Sequence, residues 1–295
     1  MTIAVCYPSP EGIVLGADST ISSFQPPNGF HYFNHNQKLF EIGQDSTFGI
    51  VTWGLGGFGP VSYRTLIAEL ADDLEAKKPA DMLDVATRWS KLVWDAYSTS
   101  ALLKPAIDNY KVLNAKAVHD PNASASPTMR TKDEEETFTQ LRMGLPVGFC
   151  IGGYVPRARV PMAFEVMFDP LLAAAPTPQK VVSIRFWGAP RMIDRLLLGA
   201  DAELKNAILL SNKWTGTDQE LTDIMLKNGL THGVLPIRDA IDFVHTCIYS
   251  TIKALKFSSF SQICGGPIEL AVITTDRKFR WVHHKAFDTA ILEGT

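Results

Sequence analysis

Length, composition and charge exclude several classes of function for this sequence. It has 295 residues, of which 46% are hydrophobic and 20% charged, so it can bury a sizeable core in one large domain or two ordinary ones. Its 28 basic and 31 acidic side chains leave a net charge of −3. No excess of positive charge therefore favours binding to nucleic acid or to an anionic membrane.

The four cysteines lie far apart without the spacing of a zinc site or a disulfide framework. The sequence supports neither a metal nor a cofactor. It shows no basic-then-apolar signal pattern, and no apolar run approaches the roughly 18 residues that cross a bilayer. We therefore expect a soluble, cytoplasmic protein.

The first part of the chain predicts four strands followed by two helices. Short apolar runs bounded by Pro, Gly and Ser indicate two successive β-hairpins, with strands at residues 2–7, 12–18, 38–42 and 47–53. Apolar residues spaced three and four apart indicate helices, at residues 63–74 and 82–96.

The periodicity disappears between residues 114 and 143, a polar stretch that we interpret as an exposed surface insertion. The pattern beyond it again predicts strands, at residues 147–154, 160–168, 181–187, 268–274 and 279–283. Helices are expected at residues 191–198 and 239–255, and in part of 200–232.

The order of these elements indicates the fold class. Strands come in blocks separated by blocks of helices, which favours α+β layers over a doubly wound fold with singly alternating strands and helices. A four-layer α-β-β-α sandwich, with two mainly antiparallel sheets flanked by helices, accommodates every block. We predict a single domain over residues 1–295.

Thr2 is the first candidate for chemistry. If an aminopeptidase removes Met1, Thr2 carries both a hydroxyl nucleophile and a free amine, and one residue can then supply attack and proton abstraction. Many proteins begin with Met-Thr, so the dipeptide alone also fits an ordinary chain start.

Three further positions give Thr2 a possible context. Asp18 ends the second strand of the first hairpin, and antiparallel pairing brings it towards Thr2. Lys38 opens the next strand, and a buried lysine beside a hydroxyl lowers the pKa of that hydroxyl. Gly56 lies in a glycine-rich turn, where backbone amides can approach a developing oxyanion. Taken singly, these residues also fit a turn, a solvated strand end and a tight connection.

Together these features resemble the β-subunits of the proteasome and their bacterial relatives, which are N-terminal-nucleophile hydrolases. The resemblance rests on Thr2, on the segment GIVLGADS ending at Asp18-Ser19, on Lys38 and on the glycine pair Gly56-Gly57. The turns Gly188-Ala189-Pro190 and Cys264-Gly265-Gly266 are similar to later family turns. The resemblance spans the whole chain in order.

The resemblance implies a role for each matching residue. Thr2 would be the nucleophile, with its own freed amine as the base. Lys38 would tune the hydroxyl, Asp18 would orient Lys38, and the Gly56 N–H would bind the oxyanion. The family's polar support for the amine is altered at three further positions, Ala189, Ser261 and Cys264. A thiol donates only a weak hydrogen bond, and serine carries no charge.

The leading hypothesis is a threonine peptidase that cleaves peptides or unfolded proteins inside a homo-oligomeric ring or double ring. The resemblance leaves an ATPase partner undetermined and implies no nucleic acid or membrane partner. Two alternatives stay open: a catalytically silent structural subunit of the same type, and an amidohydrolase of the same fold that acts on a small amide.

Overall fold

The computed structural model describes residues 2–25, 29–120, 126–230, 233–259 and 263–284. Its strands, in chain order, are β1 (Ile3–Ser9), β2 (Gly12–Ala17), β3 (Ile21–Gln25), β4 (Gly29–Phe33), β5 (Leu39–Glu41), β6 (Phe48–Gly54), β7 (Val147–Gly153), β8 (Met162–Phe168), β9 (Gln179–Val181), β10 (Arg185–Gly188), β11 (Glu269–Thr274) and β12 (Arg277–His283). Its helices are α1 (Tyr63–Ala76), α2 (Met82–Thr99), α3 (Lys104–Asn114), α4 (Lys132–Gly144), α5 (Arg191–Leu198), α6 (Ala202–Leu210), α7 (Asp218–Asn228) and α8 (Ile237–Lys256).

The chain forms two compact units, and the first comprises residues 1–39, 183–272 and 280–295. Its five-stranded sheet has the order β10-β1-β2-β11-β12, and β3 pairs with β4 as a separate hairpin. β1 lies antiparallel between β10 and β2, with Ala4 opposite Ala17. Because β1 is flanked on both sides, its position and the direction of its first residues are strongly determined.

Helix α8 covers one face of this first sheet. It packs on β1 and β2, and α5 packs on α8. The apolar face of α8 buries Val244, Cys247 and Ile248 completely, in one cluster with Ile3 and Val5 of β1. Apolar side chains at helical spacing on α8 meet a strand that is apolar on the facing side, so β1 is held between its neighbours and beneath a helix.

The second unit comprises residues 40–182 and 273–279. Its sheet has the order β5-β6-β7-β8-β9, and α2 packs on β7 and β8. The core is aromatic at its centre, where the Phe149 ring lies edge-on to the rings of Trp89 and Phe168, with ring centroids 5.0 and 6.0 Å away. Such edge-to-face packing of large rings stabilises a core beyond its buried area.

The predicted fold class is confirmed: the chain is α+β, with two antiparallel five-stranded sheets that each carry packed helices. The two hairpins at the start of the chain and the one at residues 268–283 are present. The helix predicted at residues 191–198 coincides with α5. Among the described residues, no helix is long and apolar enough to cross a membrane.

The single strand predicted at residues 181–187 is wrong. The segment contains the end of β9 and the start of β10, and these strands belong to different sheets. An apolar run favours a strand, but it carries no information about which sheet the strand joins, and here only Val181 and Trp187 of the segment are buried. The chain leaves one unit for the other directly after Val182.

Helix α4 lies in the polar stretch at residues 114–143 that shows no apolar period. It begins with a capping box, in which Thr131 and Glu134 satisfy each other's backbone N–H groups. Phe138 is its one buried residue, and Arg130 lies over that ring at 4.1 Å. Besides capping and charge, only Phe138, which stacks on Tyr110, and Leu141 join this helix to the core, and two apolar positions are too few for a detectable amphipathic stripe.

Candidate active site

Asp18 is the centre of a buried hydrogen-bond network in the first unit. Asp18 directly follows the last residue of β2, and its side chain is fully buried. Oδ1 accepts from Ile3 N at 3.1 Å and from Lys38 Nζ at 2.6 Å. Oδ2 accepts from Thr20 N at 3.2 Å and from Gly265 N at 2.9 Å. These four donors replace the water that a buried carboxylate loses.

Lys38 is the cation of this network and lies directly before β5. Its side chain is 4% exposed, and Nζ donates to Asp18 Oδ1 and to the Thr20 carbonyl oxygen, each at 2.6 Å. An ammonium has three N–H donors. Within the described part of the chain these two acceptors account for two of them, which leaves one N–H for a further oxygen.

Thr2 directly precedes β1 and is 4% exposed. The Ile3 N–H that binds Asp18 belongs to the peptide group joining Thr2 to Ile3. On the other side of β1, Gly188 has φ +86°, and a Cβ on it would lie 1.8 Å from the Thr2 carbonyl oxygen. Only glycine fits there, so Gly188 lets β10 approach the backbone of Thr2.

The turn before β11 closes the network from a distant part of the sequence. Ser19 N donates to the Gly265 carbonyl at 3.0 Å, and Ser19 Oγ donates to the Pro267 carbonyl at 2.7 Å. Gly265 N in turn donates to Asp18 Oδ2. The end of β2 and this turn therefore bind each other at several points, and the position of the Asp18 carboxylate depends on both.

The remaining sequence candidates lie in different surroundings. Gly56 is exposed and belongs to the second unit, in the connection from β6 to α1. Helix α1 begins only at Tyr63, with Ser62 as its N-cap, so the helix N-terminus does not contribute to an anion site at Gly56. Ser261 lies outside the described residues. Ala189 is partly buried and packs against the apolar cluster beneath α8.

Cys264 belongs to the same apolar cluster and is fully buried. Burial raises the pKa of the Cys264 thiol, and the Asp18 charge raises it further, while the Lys38 ammonium opposes the shift. The thiol therefore stays protonated at neutral pH and behaves as a small apolar side chain. All four cysteines lie in the described part of the chain, where they are buried and form no disulfide.

The structure thus brings Asp18 and Lys38 into direct contact and places both beside the peptide group of Thr2. The sequence did not indicate that Thr20 bonds to both members of the ion pair, or that Gly188 lies against Thr2. The strands β3 and β4 that follow Thr20 were not predicted. Within the described ranges, no group of three His, Cys, Asp or Glu side chains is placed to hold a metal ion.

Comparisons with known proteins find similarity at the level of the fold. No family model matches the chain, and no curated protein matches its sequence. The solved structure of the Anbu (Gly-1) mutant from Hyphomicrobium sp. strain MC1 is similar over 99% of this chain and 91% of that chain, with a TM-score of 0.48 and 12% identity. At this level of similarity, the activity of the chain has to be argued from its own residues.

Proposed function

We propose that the protein is a threonine-type N-terminal-nucleophile peptidase that reacts through Thr2 after removal of Met1. One observation carries the proposal. A single oxygen, Asp18 Oδ1, accepts from both the Lys38 ammonium and the peptide N–H that joins Thr2 to Ile3. A buried cation is therefore held next to a residue that has a hydroxyl and, once Met1 is removed, a free amine.

The chemistry follows from these groups. The Thr2 amine, directly or through a water, takes the hydroxyl proton, and Oγ attacks the carbonyl carbon of the scissile amide. The remaining N–H of Lys38 stabilises the charge that develops on Oγ. The tetrahedral intermediate collapses to an ester on Thr2, and the leaving amine takes the proton. Water then hydrolyses the ester and restores Thr2.

The resemblance supplies the other parts of the proposal. The Gly56 N–H is the donor for the oxyanion, and Ala189, Ser261 and Cys264 are the positions at which the resemblance implies support for the amine. The substrates are peptides or unfolded proteins, and the protein works in the cytoplasm as a homo-oligomeric ring or double ring. A size measurement that finds a stable monomer contradicts the compartment but leaves the chemistry at Thr2 in place.

A second candidate is a catalytically silent structural subunit of the same fold. The surroundings of Cys264 favour it, because that side chain and Ala189 both pack in the apolar cluster beneath α8. A protonated, buried thiol gives an amine little polar support. In this case the Asp18–Lys38 pair only holds the strand ends together.

Labelling of the intact protein separates the two candidates. A peptide epoxyketone has two electrophilic carbons that react with a hydroxyl and an amine together, so it reports both groups of Thr2. Intact mass first shows whether Met1 is absent, and the mass of the N-terminal peptide then locates the adduct. Thr2→Ala is the test variant. Thr251→Ala is the matched control, because Thr251 is equally buried and its hydroxyl only donates to the Cys247 carbonyl in α8.

The peptidase predicts an adduct on Thr2 in the wild type and in Thr251→Ala, and none in Thr2→Ala. It also predicts that Thr2→Ala lowers peptide turnover by a factor of about 10³ or more, as loss of a nucleophile does, while the circular dichroism spectrum is unchanged. A retained Met1, or turnover by Thr2→Ala within a few-fold of wild type, overturns the proposal. An unlabelled wild type without peptide turnover supports the silent subunit. Turnover of small acyl amides but not of peptides indicates the amidohydrolase.

A further inference from the structure

Thr20 is bonded to both members of the buried ion pair through its backbone. Its N–H donates to Asp18 Oδ2 at 3.2 Å, and its carbonyl oxygen accepts from Lys38 Nζ at 2.6 Å. The residue is 1% exposed. Its side chain makes a third contact, in which the hydroxyl donates to Asn34 Oδ1 at 2.9 Å. The rotation of the Thr20 backbone therefore decides where one of the two acceptors of Lys38 lies.

Asn34, the partner of the Thr20 hydroxyl, lies on a segment that is itself held from two sides. It directly follows β4 and precedes Lys38 by four residues. Asn36 N donates to the Ser19 carbonyl at 3.0 Å. On the other side, a Cβ on Gly266, which has φ +69°, would lie 2.4 Å from the Asn34 carbonyl oxygen. The backbone around Asn34 is thus joined to Ser19 and lies against Gly266, and from there the Asn34 side chain accepts from Thr20.

We propose that the Thr20 hydroxyl and Asn34 form a positioning pair, which orients the Thr20 carbonyl and thereby directs the remaining N–H of Lys38. A lysine side chain is flexible, and its ammonium rotates freely until acceptors restrain it. Asp18 alone fixes one N–H direction. The Thr20 carbonyl fixes the second, and the geometry of the ammonium then determines the third.

This inference rests on the proposed function, because the oxygen that the third N–H serves is the Thr2 hydroxyl. Neither Thr20 nor Asn34 touches the reacting atoms in this account, and both act through Lys38. A purely structural role for the hydrogen bond predicts a different result. In that case its loss lowers stability and leaves the chemistry of the folded protein unchanged.

Thr20→Val tests the inference, with Thr20→Ser as the matched control. Valine keeps the branched shape of threonine and removes only the hydroxyl donor, while Asn34 is exposed and can bind water instead. Serine keeps the donor and loses a methyl group. The steady-state constants kcat and KM are measured with the same peptide for the wild type and both variants, at a temperature well below unfolding.

We expect Thr20→Val to lower kcat by 10-fold to 100-fold with KM within 2-fold of wild type, and Thr20→Ser to retain kcat within about 3-fold. A loss in kcat without a change in KM means that an interaction made in the transition state has been weakened. Wild-type kcat in Thr20→Val, or equal losses in the two variants, overturns the inference.

A second measurement does not depend on activity and so separates failure of this inference from failure of the proposed function. The protein is labelled with ¹⁵N at lysine Nζ, and the Lys38 ammonium signal is assigned from its absence in Lys38→Met. A restrained, buried ammonium exchanges slowly and gives a visible signal. We expect the signal in the wild type and in Thr20→Ser, and a broadened or shifted signal in Thr20→Val. An unchanged Lys38 signal in Thr20→Val overturns the positioning pair, even if Thr2 proves to be inactive.

Discussion

Two buried aspartates of the first unit both accept hydrogen bonds from backbone N–H groups and from cations, but their cations lie in different surroundings. Asp18 is bound by three backbone N–H groups and by Lys38. Asp201 is the N-cap of α6, where it accepts from Leu204 N at 2.7 Å. It also accepts from Arg191 and Arg195 of α5, at 2.6 and 2.7 Å.

The difference lies in the cations. The side chains of Arg191 and Arg195 are 36% and 44% exposed, and Arg191 also pairs with the exposed carboxylate of Glu203. Lys38 is 4% exposed and keeps an N–H inside the protein. Burying an ammonium costs several kcal/mol, and apolar side chains often stabilise a core as well as an ion pair does. The Asp201 cluster joins two helices at little cost, whereas the Asp18 pair incurs a cost that the proposed catalytic role would explain.

The largest effect is expected for Lys38→Met. Removing the cation leaves the Asp18 carboxylate buried without a counter-ion, which lowers the free energy of unfolding by about 3–5 kcal/mol. Turnover is abolished in protein that is still folded. Urea unfolding and peptide turnover are the two measurements.

The double variant Asp18→Asn/Lys38→Met is the control for this prediction. Because the two side chains interact directly, it should be less destabilised than the sum of the single variants, by about 1–3 kcal/mol, and still inactive. Normal turnover in either variant would remove the functional distinction between the two aspartates.

Asp201→Ala should have an intermediate effect on stability and none on turnover. It removes the N-cap of α6, worth about 1 kcal/mol, together with two part-exposed ion pairs that add up to about 1 kcal/mol in total. Asp218→Ala is the matched control, since Asp218 is 67% exposed and pairs only at the surface with Lys205. We expect that control to cost less than about 1 kcal/mol. A loss of turnover in Asp201→Ala would show that both buried aspartates serve the site.

The smallest effect is the pH dependence of the Asp201 charge. Burial alone raises the pKa of this carboxyl, but the Leu204 N–H and the guanidinium groups of Arg191 and Arg195 outweigh it and lower the pKa to about 2. A lowered pKa in the folded state means that the charge stabilises the protein above the unfolded pKa of 3.8 and ceases to do so as the pH falls through about 2.

Asp201→Asn measures the contribution of this charge to the free energy of unfolding, because asparagine keeps the N-cap and removes the charge. We expect the variant to be about 1 kcal/mol less stable than wild type at pH 7, since the part-exposed arginines are screened. The difference should shrink steadily in urea unfolding between pH 4 and pH 3. A difference that grows towards acid pH would mean that the charge is not stabilising.

Local patterns predicted the elements that carry an apolar period. Helices α1, α2 and α8 have apolar faces at helical spacing, and α5 was predicted with its observed bounds. The first hairpin followed from two apolar runs separated by a turn rich in Pro and Gly. Helix α4 was missed because capping and charge hold it in place of an apolar face, and β3 and β4 because no strand pattern indicated them.

The candidate site was predicted in its residue types but not in its contacts. Asp18 and Lys38 were chosen from a resemblance and from their positions at strand ends. The distance of 2.6 Å from Lys38 Nζ to Asp18 Oδ1, and the donation of Ile3 N to the same oxygen, are visible only in the fold. The catalytic roles of Thr2, Asp18, Lys38 and Gly56 remain predictions; labelling tests that of Thr2, and the turnover of the Lys38 and Asp18 variants tests those of the ion pair.

The sequence by itself determined the α+β class, the order of most strands and helices, and the residues that open and close the first hairpin. These depend on interactions between near neighbours, which leave a period in the chain. The tertiary structure decided that residues 181–187 divide between two sheets, and that Gly188 lies against Thr2. It also decided that Gly265, almost 250 residues along the chain, donates to Asp18. Such contacts depend on where distant segments pack, and a one-dimensional pattern does not record that.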